Sequence, residues 1–268
     1  MGFVMKKWEI QKTGIIPRLN SPIMVVGLPG IGNVGKVAID FMIDEMDAKK
    51  IYEVSSYSFP HSVFVNEENL VELPKVELYY KSFGGKRQDI LFLAGDVQPI
   101  DEASAYEFSD MMLEMLHDLK GKEVITLGGI GLGEIPKSPK VYCTGNSKKI
   151  LAKYKTNLAL NNLHGVVGPI IGVSGLMLGL AEKRHIESIA FLAETFGHPM
   201  YLGINGAREI LKIFNEKFAF KLDLKRLDQE IKDIEQEMGA KGEAAAKMLQ
   251  RINPGKMKAK GGEASYIG

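Results

Sequence analysis

Gly30-Ile31-Gly32-Asn33-Val34-Gly35 has the spacing G-x-G-x-x-G, and it falls between a strand-like run, Ile23-Met24-Val25-Val26, and a segment of helical periodicity. At such a turn the glycines let the backbone approach a pyrophosphate, while the following helix offers N–H donors and a positive dipole end. Gly30, Gly32, Gly35 and Lys36 are therefore the candidate phosphate-binding residues. The rest of a dinucleotide site is weaker. The acidic residue that would bind ribose falls at Glu53, inside a strand-like run with Val54 following, so its side chain need not emerge at the carboxyl end. Residues 30–36 also fit G-x-x-x-x-G-K, but Val37 stands where a Ser or Thr would ligate magnesium. Pro29 removes one more N–H donor. The same glycines also serve tight turns and close helix–sheet packing with no ligand at all.

Other chemistry is thinner. Gly128-Gly129-Ile130-Gly131-Leu132-Gly133-Glu134 ends another strand on the side where parallel sheets bind ligands, as a second pocket wall or simply as a turn. His61, His117, His164, His185 and His198 are scattered without the spacing of a metal-ligand pair. The single cysteine, Cys143, excludes an internal disulfide and a Cys-rich zinc site, and no neighbour in sequence would activate it. Ser174, in Gly172-Val173-Ser174-Gly175, lacks the spacing of a nucleophile elbow. Asp96 and Glu194 close strands, but no second group can be paired with them for acid–base work. No catalytic constellation emerges, and neither a cofactor nor a metal is expected.

The elements around these residues alternate. Val34, Val37, Ala38, Phe41, Met42 and Met46 recur at helical spacing, and a Met- and Leu-rich helix is expected over residues 102–119 and another over 206–218. Ile51-Tyr52-Glu53-Val54, Ile90-Leu91-Phe92-Leu93, Val124-Ile125-Thr126-Leu127 and Ile189-Ala190-Phe191-Leu192-Ala193 are short apolar runs of strand type. Such strands, alternating with amphipathic helices, predict an α/β fold with a mostly parallel sheet covered by helices on both faces. Val63-Phe64-Val65 and residues 76–80, on either side of Pro74, suggest an antiparallel excursion. Residues 1–218 are read as this domain.

Beyond it the pattern changes. Leu224, Leu227, Ile231, Ile234 and Met238 alternate by three and four among charged residues, an a/d stripe on an amphipathic helix over 219–239 that ends at Gly239. A stripe this narrow needs another helix, from its own domain or from a second subunit. Residues 240–268 are small, polar and Gly-rich, with Lys241, Lys247, Arg251, Lys256, Lys258 and Lys260 against Glu243 and Glu263, the composition of a flexible basic tether. It closes on Tyr266-Ile267-Gly268, an apolar anchor with a terminal carboxylate, suited to insertion into a pocket on another protein.

With 268 residues, 45% hydrophobic and 25% charged, the composition is that of an ordinary soluble protein. A net charge of +1 supplies no field toward nucleic acid or an anionic membrane. Met1-Gly2-Phe3-Val4-Met5-Lys6-Lys7-Trp8 does not have the form of a signal peptide, and residues 166–180 are too short and too rich in Gly and Pro to span a bilayer. A cytoplasmic location is expected, with no nucleic-acid or membrane partner.

One ordered set of motifs is more specific than any of these alone. Gly27-Leu28-Pro29-Gly30-Ile31-Gly32-Asn33-Val34-Gly35, then Gly95-Asp96 after a strand, Leu127-Gly128-Gly129, and Gly168-Pro169-Ile170-Ile171-Gly172 followed by Ser174-Gly175, together resemble the proteasome assembly chaperone family in its archaeal branch. The resemblance covers residues 21–218. It implies a fold similar to that of purine nucleoside phosphorylases, used for protein binding rather than catalysis, together with self-association and contact with the α-ring of the proteasome core particle. Some archaeal relatives end in a hydrophobic-Tyr-any motif that docks between α subunits. Here Ile267 holds the penultimate position and Tyr266 the hydrophobic slot, so the pattern is displaced by one residue. The function expected is a non-catalytic, oligomeric chaperone or adaptor with Tyr266, Ile267 and Gly268 as its docking element. The alternative, prompted by relatives described as ligase-like, is a nucleotide-binding ligase- or phosphorylase-like enzyme using the turn at 27–36.

Overall fold

Two apolar runs, at residues 23–27 and 90–95, are buried at every position, as strands covered on both faces must be. A computed structural model describes residues 6–163, 165, 168–198, 201–229 and 231. In chain order the elements are β1 (Trp8–Lys12), β2 (Ile23–Gly27), α1 (Val34–Glu45), β3 (Lys49–Ser56), β4 (Phe64–Val65), β5 (Val71–Glu72), β6 (Val76–Lys81) and β7 (Ile90–Gly95). There follow α2 (Glu102–Asp118), β8 (Glu123–Leu132), β9 (Val141–Gly145), α3 (Lys148–Lys153), β10 (Ala159–Leu160), α4 (Val173–Lys183), β11 (Glu187–Phe196) and α5 (Ile204–Phe218). The chain divides into two compact units, the first ending at Leu224.

Nine strands of the first unit form one sheet in the order β1-β3-β6-β7-β2-β8-β11-β9-β10. The central four, β7-β2-β8-β11, are parallel. On one flank β6, β3 and β1 run antiparallel, and on the other β9 is antiparallel to β11. The sheet is thus mixed, with a parallel heart and one further parallel pair, β9 with β10, at its edge. The reason lies in the connections: a parallel return needs a crossover of about a dozen residues or more, usually a helix. Neither the link from β6 to β7 nor that from β8 to β9 contains one. β4 and β5 stand apart as a two-stranded ribbon.

Helices cover both faces, α1 with α5 on one and α2 with α4 on the other. The second face is a continuous apolar layer of Met24, Val26, Leu91, Leu93 and Val124 under Phe108, Met112, Leu116, Val173 and Met177. On the first face Phe191 of β11 meets Phe214 of α5 edge-on at 6.3 Å, and Phe214 stacks on Phe218 at 5.3 Å. Asp101 caps α2 by accepting from the Ser104 N–H at 2.8 Å.

The antiparallel flank is laced by a polar cluster. Glu77 accepts from Lys50 Nζ at 2.8 Å and from the Tyr79 hydroxyl at 2.7 Å. Burial disfavours the charged carboxylate, but the Lys50 and Tyr79 donors outweigh it and hold the Glu77 carboxyl below its ordinary value. Burial, reinforced by Glu77, pushes the Tyr79 phenol up. A carboxyl lowered in the folded state stabilises above its unfolded pKa and loses that contribution as pH falls through the folded value. Glu77→Gln should therefore cost about 2 kcal/mol at neutral pH. The gap between it and wild type should narrow as pH falls below 4.5, the ordinary value. Urea denaturation across a pH series measures this; a gap independent of pH would remove the ionised Glu77 from the account.

Candidate functional site

The carboxyl ends of β2, β7, β8 and β11 open on a crevice. α1 leaves β2 on one face and α2 leaves β7 on the other, so the crevice lies where chain direction across the sheet reverses, the usual ligand position in α/β sheets. It encloses about 630 Å³ between Leu28, Gly30 and Ile31 of the first turn, Gly128 and Gly129 of β8, and residues 168–172 ahead of α4. Gln98 and Ser174 are the only polar side chains among the described residues of its lining. Each loop leaving a parallel strand carries one exposed aliphatic, namely Ile31 after β2, Ile100 after β7, Ile135 after β8 and Leu202 after β11, and of these Ile31 lines the crevice. Ile171, just ahead of α4, is 85% exposed.

The glycine turn is filled from within. Gly32 (φ 60°) and Asn33 (φ 49°) take left-handed conformations that turn the chain into α1. A Cβ on Gly32 would lie 2.5 Å from Thr195 Oγ1, and one on Gly35 would lie 2.4 Å from the Leu127 carbonyl oxygen. A Cβ on Gly129 would meet the Ile31 carbonyl oxygen at 2.3 Å. The Gly203 N–H donates to the Gly32 carbonyl at 2.7 Å and ties the turn to the start of α5. Gly30 differs: its backbone is extended and no atom lies within 4 Å of where a Cβ would be. Two of the three motif glycines thus let α1, β8 and β11 close on one another, and only Gly30 faces open space. Lys36 Nζ is 2.9 Å from Asp40 and 3.8 Å from Asp96, an ion-pair cluster on α1. Burial raises the Asp40 carboxyl, against the pull of Lys36.

Gln98 holds the two walls together. Its Nε2 donates to the Pro29 carbonyl, and its Oε1 accepts from the Val173 N–H at 3.0 Å, at the first residue of α4. Neither Gln98 nor Thr195 stood out in the sequence, because a lone Gln or Thr after a strand has no periodicity or spacing to mark it. The Thr195 hydroxyl is buried and without a hydrogen-bond partner among the described residues. Glu194 accepts from the Lys140 N–H at 2.9 Å and the Tyr142 hydroxyl at 3.3 Å, joining β11 to β9. Cys143 is buried in β9, and burial pushes its thiol up, away from a reactive thiolate. Ser174 lies in the crevice lining and His61 in that of a separate groove. His198 stacks on Phe196 at 5.7 Å.

In the second unit residues 225–229 are helical, with Leu227 buried; Leu224, at the end of the first unit, and Ile231 are half-buried. Ile234 and Met238 of the apolar stripe, and Tyr266, Ile267 and Gly268, lie outside the described residues.

Comparison with known proteins now adds to this geometry. The model of the PAC2 family matches residues 24–240. The chain is similar to Pyrococcus furiosus PbaB, an archaeal proteasome activator, with 30% identity and a TM-score of 0.81 over 88% of this chain and 99% of that one. It shares the fold of P. furiosus PbaA, an archaeal homologue of proteasome-assembly chaperone, with 22% identity and a TM-score of 0.73 over 93% and 97% of the two chains. An uncharacterised protein of Methanocaldococcus jannaschii is 28% identical over 232 residues, 87% of each chain.

The packing assigned to the turn separates its glycines. Gly35→Ala should cost about 2–3 kcal/mol, since its new methyl meets backbone that cannot swing aside. Gly30→Ala should stay within about 0.5 kcal/mol of wild type. Urea denaturation of both variants checks this, and equal losses would refute the filled turn.

Proposed function

This chain belongs to the PAC2 family, and on that premise we propose that it is a non-catalytic, self-associating chaperone or adaptor that works on the α-ring of the proteasome core particle. The observation that carries the reading is the match to PbaB, which takes in 99% of that proteasome activator at 30% identity. The crevice supports protein contact over turnover. Among its described lining residues it offers no acid, base or nucleophile except Ser174. Its exposed Ile31 and Ile171, with Ile100, Ile135 and Leu202 exposed on loops at the same end of the sheet, are suited to an apolar partner surface. Across the described residues no helix is long and apolar enough to cross a membrane.

Tyr266, Ile267 and Gly268 are the proposed docking element, carried on the basic segment at 240–268, and Leu224, Leu227, Ile231, Ile234 and Met238 form the helix-packing seam. Tyr266 supplies the aromatic anchor one position before the place that the family's docking motif gives it. The misplaced phenol costs one well-directed hydrogen bond and part of an aromatic contact, roughly 1–3 kcal/mol per site.

One observation favours a second reading, a nucleotide-binding ligase- or phosphorylase-like enzyme: Gly30 presents open backbone to a cavity of about 630 Å³. Calorimetry with ATP, NAD and nucleosides discriminates. The chaperone reading expects no heat; heat with wild type that vanishes in Gly30→Val would establish the enzyme reading instead.

For the first reading the assay is binding to isolated α-rings. Removal of residues 266–268 should abolish capture, and Ile267→Tyr should tighten binding about tenfold. Capture unchanged by the deletion would end the role given to these residues.

A further inference from the structure

The ribbon β4–β5 pairs with no other strand of the described chain. Its register sets Phe64 opposite Glu72 and Val65 opposite Val71. Continued by one residue, the same register sets Val63 opposite Leu73, so one face of the ribbon carries Val63, Val65, Val71 and Leu73. All four are between 53% and 71% exposed. A hairpin of two-residue strands is marginal in water by itself, and an uncovered aliphatic face makes its order harder to explain.

The hairpin is nevertheless closely built. Asn66 Oδ1 accepts from the Glu68 N–H at 3.0 Å and from the Leu70 N–H at 2.9 Å, and Asn66 Nδ2 donates to Glu72 at 2.7 Å. Asn69 takes the left-handed turn position that asparagine tolerates.

The groove of about 670 Å³ beside the ribbon is mixed in character: Tyr57, Phe59, Pro60 and Pro74, with Val63 and Leu73 of the ribbon, line it together with polar residues that include Lys6 and Glu9. Its floor is rigid, since Phe59 packs edge-on against Trp8 at 5.8 Å and against Phe108 at 6.4 Å. One surface therefore carries an aliphatic arm beside a recess whose aromatic and proline portion can take up a second aliphatic face. That is the requirement for a contact between identical subunits about a two-fold axis, where the same patch must serve both sides.

We propose that this surface is an interface between two copies of the chain, with the aliphatic face of each ribbon seated in the groove of the other. The area argues for a second copy. Four open aliphatics, Tyr57 and the groove wall amount to on the order of 600 Å², about what each partner contributes at the lower end of stable interfaces. Charge argues against a lipid surface, because the tip between the strands carries Glu67 and Glu68.

The inference rests on the self-association proposed above and names its surface. Val65→Glu combined with Val71→Glu tests it, since both positions are exposed in the single chain and the monomer fold, checked by thermal melting, should hold. Sedimentation over a concentration series should give wild type a multiple of 29.6 kDa and the variant 29.6 kDa, with self-association at least a hundredfold weaker. Val65→Leu with Val71→Leu should keep the wild-type mass. A wild-type multimer left intact by the glutamates would overturn this surface alone. Loss of a foreign partner with the multimer retained would assign the face to that partner and overturn it equally. A wild type that stays at 29.6 kDa would defeat the self-association reading as well.

Discussion

The Leu127 carbonyl oxygen occupies the space that a side chain at Gly35 would need, 2.4 Å from its Cβ position, and the Gly35 carbonyl does the same at 2.3 Å for Gly27. Through these two approaches α1 lies almost directly on β2 and β8 rather than on a layer of side chains. The consequences spread outward. With α1 so low, the turn before it is pressed onto β8 and β11, where Ile31 covers Gly129 and Gly32 covers Thr195. Gly203 is drawn in by its bond to the Gly32 carbonyl, and α5 begins where that bond leaves it. The crevice takes its outline from a contact between backbones.

A nucleotide site uses the same strand–turn–helix differently, keeping the space above the glycines for phosphate oxygens and the helix N–H groups free to meet them. Here Gln98 links the Pro29 carbonyl to the first N–H of α4, so one side chain locks both walls of the crevice. The recess is weakly polar, with Gln98 and Ser174 as the polar side chains among its described lining residues, and its two walls are held by one bridge, a preorganisation that the proposed protein contact would use.

The parallel heart of the sheet was legible in the sequence because covered strands read as unbroken apolar runs, and the glycines marked the turns between them. The antiparallel excursion at β4 and β6 was legible too, from the strand-like runs on either side of Pro74, whereas nothing in β9 alone records that no helix intervenes between it and β8. α4 escaped the periodicity for a physical reason: Gly175 and Gly179 interrupt its stripe, and Gly175 is required because the Ile170 carbonyl oxygen lies 1.9 Å from its Cβ position. A residue chosen for close packing looked like a helix breaker. The ribbon was visible as Val63-Phe64-Val65, but its exposure was not, because β-branched residues read as buried strand wherever they stand.

The two ends of the sheet divide the work. At the amino end Glu123 is buried and accepts from both Lys153 and the Tyr154 hydroxyl. At the carboxyl end Ile31, Ile100, Ile135 and Leu202 are exposed on the loops that leave the parallel strands. Because β6 runs antiparallel to β7, with Val76 opposite Gly95, the ribbon ahead of β6 emerges at this same end. A contact through the ribbon would bring two copies together on the side on which β2, β7, β8 and β11 end. Each copy would add one Tyr266-Ile267-Gly268, the proposed docking element, which is displaced by one position from the family's pattern. Once one anchor is seated, the next acts at an effective concentration in the millimolar range, and linkage of this kind raises avidity by about 10²–10⁴ without any new contact. That gain is of the order of the loss expected from the misplaced tyrosine, so a chain with a poor anchor has a physical reason to associate.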